Sequence, residues 1–199
     1  VTWITSAMRR LHRCWFASGA QTRAMQVGIK NEARALELVI RMLTSQKQHV
    51  CTVLDTVFDG ASSSLKTVFR MGLVRSKEEK LVCASPDGVL LFNPEGGVRT
   101  VAWEVKTRSA PEAVAIKQRT IDHRINGCQL VYVNADTEPD LFRGLVTSEA
   151  NRMQIVHMAY VIDTDLVLFT EATTNDLLFT VFVRIPRYDS RRWNTTLKG

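Results

Sequence analysis

The sequence predicts one α/β domain, and three observations carry that prediction. A chain of 199 residues that is 45% hydrophobic can bury one good core. Helix-period stretches at residues 22–46 and 148–162 alternate with strand-like runs at 80–108 and 165–186. The middle of the chain holds two strand patterns joined by turn residues, which predicts a hairpin.

Charge and cysteine content narrow the partners. With 26 Lys+Arg against 20 Asp+Glu, the net charge is +6 and the pI near 9.4, a balance that favours polyanionic partners. The cysteines Cys14, Cys51, Cys83 and Cys128 lie far apart with no CxxC spacing, so neither a zinc site nor an iron–sulfur cluster is indicated. They read as free thiols, which places the protein in an intracellular reducing compartment. No apolar run approaches the roughly 20 residues of a membrane span. A start at Val1 is expected for an excised domain or a processed form.

Each element can be justified in order. "ITSAMRRLHRCWFASGA" puts Ile4, Ala7, Met8, Leu11 and Trp15 at helical spacing, ringed by Arg9, Arg10, His12 and Arg13. A second helix, "TRAMQVGIKNEARALELVIRMLTSQ", has Ala33, Leu36, Val39, Ile40 and Leu43 on one face, with Glu32 one turn before Leu36 on the same side. "VCTVLDTVF" (50–58) reads as a strand, "DGASSS" (59–64) as a loop and "LKTVFRMGLV" (65–74) as a further strand. The hairpin follows: "KLVCASPDGVLLF" and "VRTVAWEVKTR" flank "NPEGG". In the helix "SEANRMQIVHMAYVI", Met153, Val156 and Tyr160 form the expected core stripe, with Gln154 and His157 on the adjacent face. "DLVLFTEAT" and "LLFTVFVRIP" complete the sheet, the second alternating Phe179, Val181 and Val183 against Thr180, Phe182 and Arg184.

The hairpin carries the chemistry. If it folds symmetrically about residues 95 and 96, Asp87 comes to lie across from Glu104, and Glu104 shares a strand face with Lys106. Like charges opposed across a sheet are unfavourable. A lysine offsets part of that cost, and a divalent cation held between the carboxylates turns the defect into a site. Oxygen-only ligands suit a hard cation such as Mg²⁺ or Mn²⁺. Pro86 and Gly88 are expected to break the ladder with a bend or bulge that re-aims Asp87. Relief of the repulsion implies that Asp87→Ala keeps or raises stability.

These residues resemble the PD-(D/E)XK nucleases, through "SPDG" (85–88) and "WEVK" (103–106). "GIKNE" (28–32) and "RMQIVHMAY" (152–160) are similar to the helical glutamate and glutamine elements of the lambda-exonuclease (YqaJ-like) branch. The resemblance implies a restriction-endonuclease-like core, a central mixed sheet flanked by helices, and a Mg²⁺-dependent deoxyribonuclease, exonuclease-like in action, with Mn²⁺ as a substitute. It further implies that Asp87 and Glu104 bind the metal, Glu32 assists as ligand, Lys106 orients the attacking water and Gln154 supports the site. Gln129 of "CQLVY" is a rival for the supporting glutamine. The spacing from Lys106 to Gln154 exceeds what that branch needs, which marks 109–147 as a candidate insertion. Arg108, Arg152 and His157 are the expected DNA-binding residues, with Lys117, Arg119, Arg124, Arg184, Arg187, Arg191 and Arg192 as further candidates for phosphate contact. The alternative reading is a catalytically inactive nuclease-fold module that binds nucleic acid or a protein partner.

Overall fold

The computed structural model describes residues 23–46, 50, 66–69, 73–78, 81–92, 99–123, 125 and 130–185. In chain order the elements are α1 (Arg23–Ser45), β1 (Lys66–Phe69), β2 (Val74–Arg75), β3 (Cys83–Ala84), β4 (Gly88–Phe92), β5 (Arg99–Thr107), α2 (Ala110–Asp122), β6 (Leu130–Asn134), α3 (Pro139–Leu145), α4 (Glu149–Ile162), β7 (Leu166–Ala172) and β8 (Leu177–Arg184). Six strands form one mixed sheet in the order β1-β4-β5-β7-β8-β6, and β2 pairs with β3 as a separate two-stranded ribbon.

The pairings β1/β4, β4/β5 and β7/β8 are antiparallel, whereas β5/β7 and β6/β8 are parallel. Parallel neighbours need a long crossover. Between β5 and β7 the chain supplies one that contains α2, β6, α3 and α4. Helices therefore cover both faces. Ala35, Val39, Met42 and Leu43 of α1 pack with Leu90, Val101, Trp103, Val105, Leu166 and Leu168. On the opposite face Ala113 and Ile116 of α2, Phe142 and Leu145 of α3, and Ile155, Met158 and Ala159 of α4 pack with Ala102, Val167, Phe169, Phe179, Val181 and Val183.

That double cover explains the sequence of β7, buried at every position, and of β8, buried at all but its ends. Phe182 lies in one core and Phe179, Val181 and Val183 in the other, so the alternation assigns faces correctly although neither face meets water. Thr170 and Thr180 are cross-strand partners, and their hydroxyls lie 3.4 Å apart inside the sheet.

Several expectations change. The 65–74 run divides between β1 and β2, which belong to different sheets. Val50 is helical, its N–H donating to the Gln46 carbonyl at 2.9 Å, so no strand starts there. The rest of the 51–58 strand, the 59–64 loop, the helix over residues 4–15, Arg124, Gln129 and the basic terminus with Arg187, Arg191 and Arg192 lie outside the described residues. On α1 the buried positions are Ala35, Val39, Met42 and Leu43, while Leu36 and Ile40 are partly buried at the edge of that stripe. On α4 Tyr160 is buried and Val156 partly buried as expected, whereas Met153 is 39% exposed and Ile155, Met158 and Ala159 also enter the core. Residues 109–147 are built into the fold: β6 is an edge strand of the main sheet, and α2 and α3 supply core side chains. Among the described residues no helix is long and apolar enough to cross a membrane.

Candidate active site

β4 and β5 pair in the register Gly88↔Trp103, Val89↔Ala102 and Leu90↔Val101, which places Asp87 opposite Glu104 as the symmetry of the hairpin requires. The apolar run from Cys83 to Phe92 is divided rather than bulged. β3 ends at Ala84, residues 85–87 turn, and Gly88 opens a regular β4. Gly88 lacks a side chain for a different reason than expected. A Cβ there would sit 2.8 Å from Cε3 of the Trp103 ring, closer than van der Waals contact allows. The turn at 85–87 frees Asp87 from the ladder while keeping it docked: its N–H donates to the Trp103 carbonyl at 3.0 Å, and its Oδ2 accepts the Val105 N–H at 2.7 Å.

Glu104 is buried, with a side chain only 5% exposed. Strand alternation puts it on the face covered by α2, α3 and α4, beside Ala102 and the parallel-strand neighbour Phe169. Its Oε1 accepts from Lys106 Nζ at 2.5 Å and from Gln154 Nε2 at 2.5 Å. Oε2 is buried with no hydrogen-bond partner among the described residues. Burial, reinforced by the negative charge of Asp87, pushes the Glu104 carboxyl up to about 7 against the opposing pull of Lys106 and Gln154.

Gln154 reaches Glu104 because α4 is pinned at both ends. Ser148 caps its first turn, its hydroxyl accepting the Asn151 N–H at 3.4 Å, and Asp163 ends it in the left-handed region at φ 58°. His157, one turn beyond Gln154, lies 3.0 Å through Nε2 from the Cys83 carbonyl, tying α4 to the strand that leads into Asp87. Arg152 donates through Nη1 to the Val146 and Thr147 carbonyls, each at 2.7 Å, and so closes the end of α3 onto the start of α4. Both residues, expected to meet DNA, also hold the frame around Gln154.

Arg108, the third residue expected to touch DNA, donates through Nε at 2.7 Å and through Nη2 to Oε1 of Glu171. Glu171 lies on β7 as the parallel-strand partner of Lys106, and its other oxygen accepts from Arg119 of α2. Arg119 also donates to Thr147 Oγ1 at 3.1 Å and stands 5.2 Å over the Phe179 ring. Glu171 was not singled out in the sequence. The available signal was a carboxylate inside the apolar run "LVLFTEA", since a charge so placed survives only when paired.

Glu32 lies in α1, on the helix that covers the sheet face opposite Glu104, and the placement of its side chain is outside what the structure describes. No group of three or more His, Cys, Asp or Glu among the described residues could hold a metal ion. The oxygen pair of Asp87 and Glu104 still fits a Mg²⁺-like ion, which is commonly held through one or two carboxylates and otherwise keeps its waters or takes substrate phosphate oxygens. The pair sits toward the carboxyl end of β5, beside its parallel neighbour β7, which is where ligands gather in α/β sheets. No protein-family model, curated protein or solved structure matches the chain.

Proposed function

We propose that the chain is a Mg²⁺-dependent nuclease that hydrolyses DNA phosphodiester bonds, exonuclease-like in action as its resemblance to the lambda-exonuclease branch of the PD-(D/E)XK nucleases implies. One observation carries the reading. Across a single hairpin register Asp87 opposes Glu104, whose Oε1 is held by Lys106 and Gln154 while Oε2 is buried without a hydrogen-bond partner among the described residues.

Asp87 and Glu104 would hold the ion, Asp87 with its Oδ2 anchored on the Val105 N–H and Glu104 through the unpartnered oxygen. When bound, the ion would polarise the scissile phosphate and lower the pKa of an attacking water. Lys106 is partly exposed, its side chain 26% accessible, whereas Glu104 is buried. Its ammonium can orient that water and offset charge that develops on the phosphate. Gln154 fixes Glu104 in the rotamer that presents Oε2 and itself carries no charge that would compete with the cation.

A second reading has an observation of its own in favour. Lys106 already neutralises Glu104 at 2.5 Å, as it would in an inert module that keeps the fold only to bind DNA. Cleavage of end-labelled linear and closed circular DNA separates the two. The nuclease reading expects cutting with Mg²⁺ or Mn²⁺, poor activity with Ca²⁺ and none in EDTA, with linear DNA preferred. DNA binding without cutting under any of these metals leaves the inert module.

A further inference from the structure

Lys106 and Glu171 are Cα partners in the parallel pair β5/β7, and alternation places both side chains on the face covered by α2, α3 and α4. An ammonium and a carboxylate so placed are within reach of pairing. Here they do not pair. Lys106 Nζ turns along its own strand to Glu104, at 2.5 Å.

The reason lies in what already occupies Glu171. Its carboxylate is 4% exposed and both oxygens are taken, Oε1 by Arg108 Nε and Nη2 and Oε2 by Arg119 Nη2. Guanidinium groups outcompete an ammonium for a buried carboxylate, because a planar fork makes several charge-assisted bonds at once. Both arginines are themselves fixed. Arg119 is held by Thr147 and by the Phe179 ring, and Arg108 leaves β5 directly before the first turn of α2, where the Glu112 carboxylate accepts the Ser109 N–H at 2.8 Å. Approach of Lys106 to Glu171 would also gather three cations around one anion.

We propose that Arg108 and Arg119 act as positioning residues: by saturating Glu171 they deny Lys106 its lateral partner and commit it to Glu104 and the reacting water. The inference rests on the nuclease reading for its catalytic consequence, but the choice of partner by Lys106 stands apart from it. Arg108→Gln opens one oxygen of Glu171 while Arg119 still pairs the other, so no buried carboxylate is orphaned and the fold is expected to survive.

Three proteins test this: Arg108→Gln, Glu171→Gln and the double variant, each by crystal structure and by single-turnover cleavage at saturating DNA. In Arg108→Gln, Lys106 Nζ is expected within hydrogen-bond distance of Glu171. Its cleavage rate should fall roughly 10- to 100-fold, the scale of a misplaced reacting group, with DNA affinity almost unchanged. The double variant removes the competing carboxylate, so Lys106 should return to Glu104 and most of the lost rate should return with it. Lys106 still on Glu104 in Arg108→Gln overturns the proposal. So does a double variant no faster than the single one, or a loss expressed in DNA affinity rather than rate, which would make Arg108 a phosphate contact. If Arg108→Gln does not fold, Glu171→Gln decides alone: a wild-type rate with Lys106 on Glu104 supports the proposal, and a large drop in rate refutes it. Failure of the wild-type protein to cleave DNA would end the nuclease reading, and the crystal structures would still report which carboxylate Lys106 takes.

Discussion

Val105 donates its backbone N–H to Oδ2 of Asp87 at 2.7 Å, so an aspartate side chain serves as the next acceptor just before β4 begins. The carboxylate that would bind metal is thus also a structural member of the hairpin, and its two roles can be separated by substitution.

Asp87→Ala removes the acceptor and leaves the Val105 N–H without its partner, at a cost of about 1–2 kcal/mol, so stability should fall rather than hold or rise. Asp87→Asn keeps an acceptor oxygen and removes the charge that crowds Glu104. It should melt at or above the wild-type temperature while binding no Mn²⁺. Paired thermal melts and metal titrations check both, and an Asp87→Asn protein less stable than Asp87→Ala would contradict the assigned bond.

Glu104 gives a pH signature in the metal-free protein. Its folded carboxyl is raised to about 7 from the model-peptide value of 4.5, chiefly by burial, so the native state keeps a proton that the unfolded chain has already released. Its contribution is fully present below about pH 4.5 and is lost as pH rises through 7, a fall on the order of 3 kcal/mol. Glu104→Gln should flatten that part of the curve, and millimolar Mg²⁺ should raise stability at pH 7 to 8 in the wild type alone. Urea denaturation across this pH range is the measurement.

For Lys106 the discriminating comparison is alanine against arginine. Lys106→Ala should lower single-turnover cleavage by about 10²-fold with metal and DNA binding nearly intact. Lys106→Arg should not restore the rate, because the larger planar guanidinium cannot give up its proton. Recovery of both binding and cleavage in Lys106→Arg would leave Lys106 as a docking residue only.

Gly88→Ala tests the packing behind the site. A methyl group would meet Trp103 Cε3 at 2.8 Å, and the ring, with no exposed surface, has nowhere to move. A destabilisation of about 1–3 kcal/mol is expected, with weaker metal binding as Asp87 shifts with its neighbour. A neutral Gly88→Ala in thermal denaturation would show that the ring gives way.

What the sequence determined by itself about this protein is local. Two strand-like runs around the sequence Asn-Pro-Glu-Gly-Gly predict the hairpin register, and period-2 alternation then sets Asp87 against Glu104 and Glu104 beside Lys106 without reference to the rest of the chain. Helical period likewise places Gln154 and His157 one turn apart. Tertiary structure decided what those side chains touch. Local pattern does not say which partners His157, Arg152 and Arg108 take; the fold gives them the Cys83 carbonyl, the α3–α4 junction and Glu171. Glu171 and Arg119 meet across 52 positions of sequence, a contact that only the β5–β7 crossover creates. The two-sided cover of the sheet is equally non-local: an apolar strand reports that it is buried, but which helix lies over each face follows from chain topology, and topology assigned α4 to Glu104 and α1 to the opposite side.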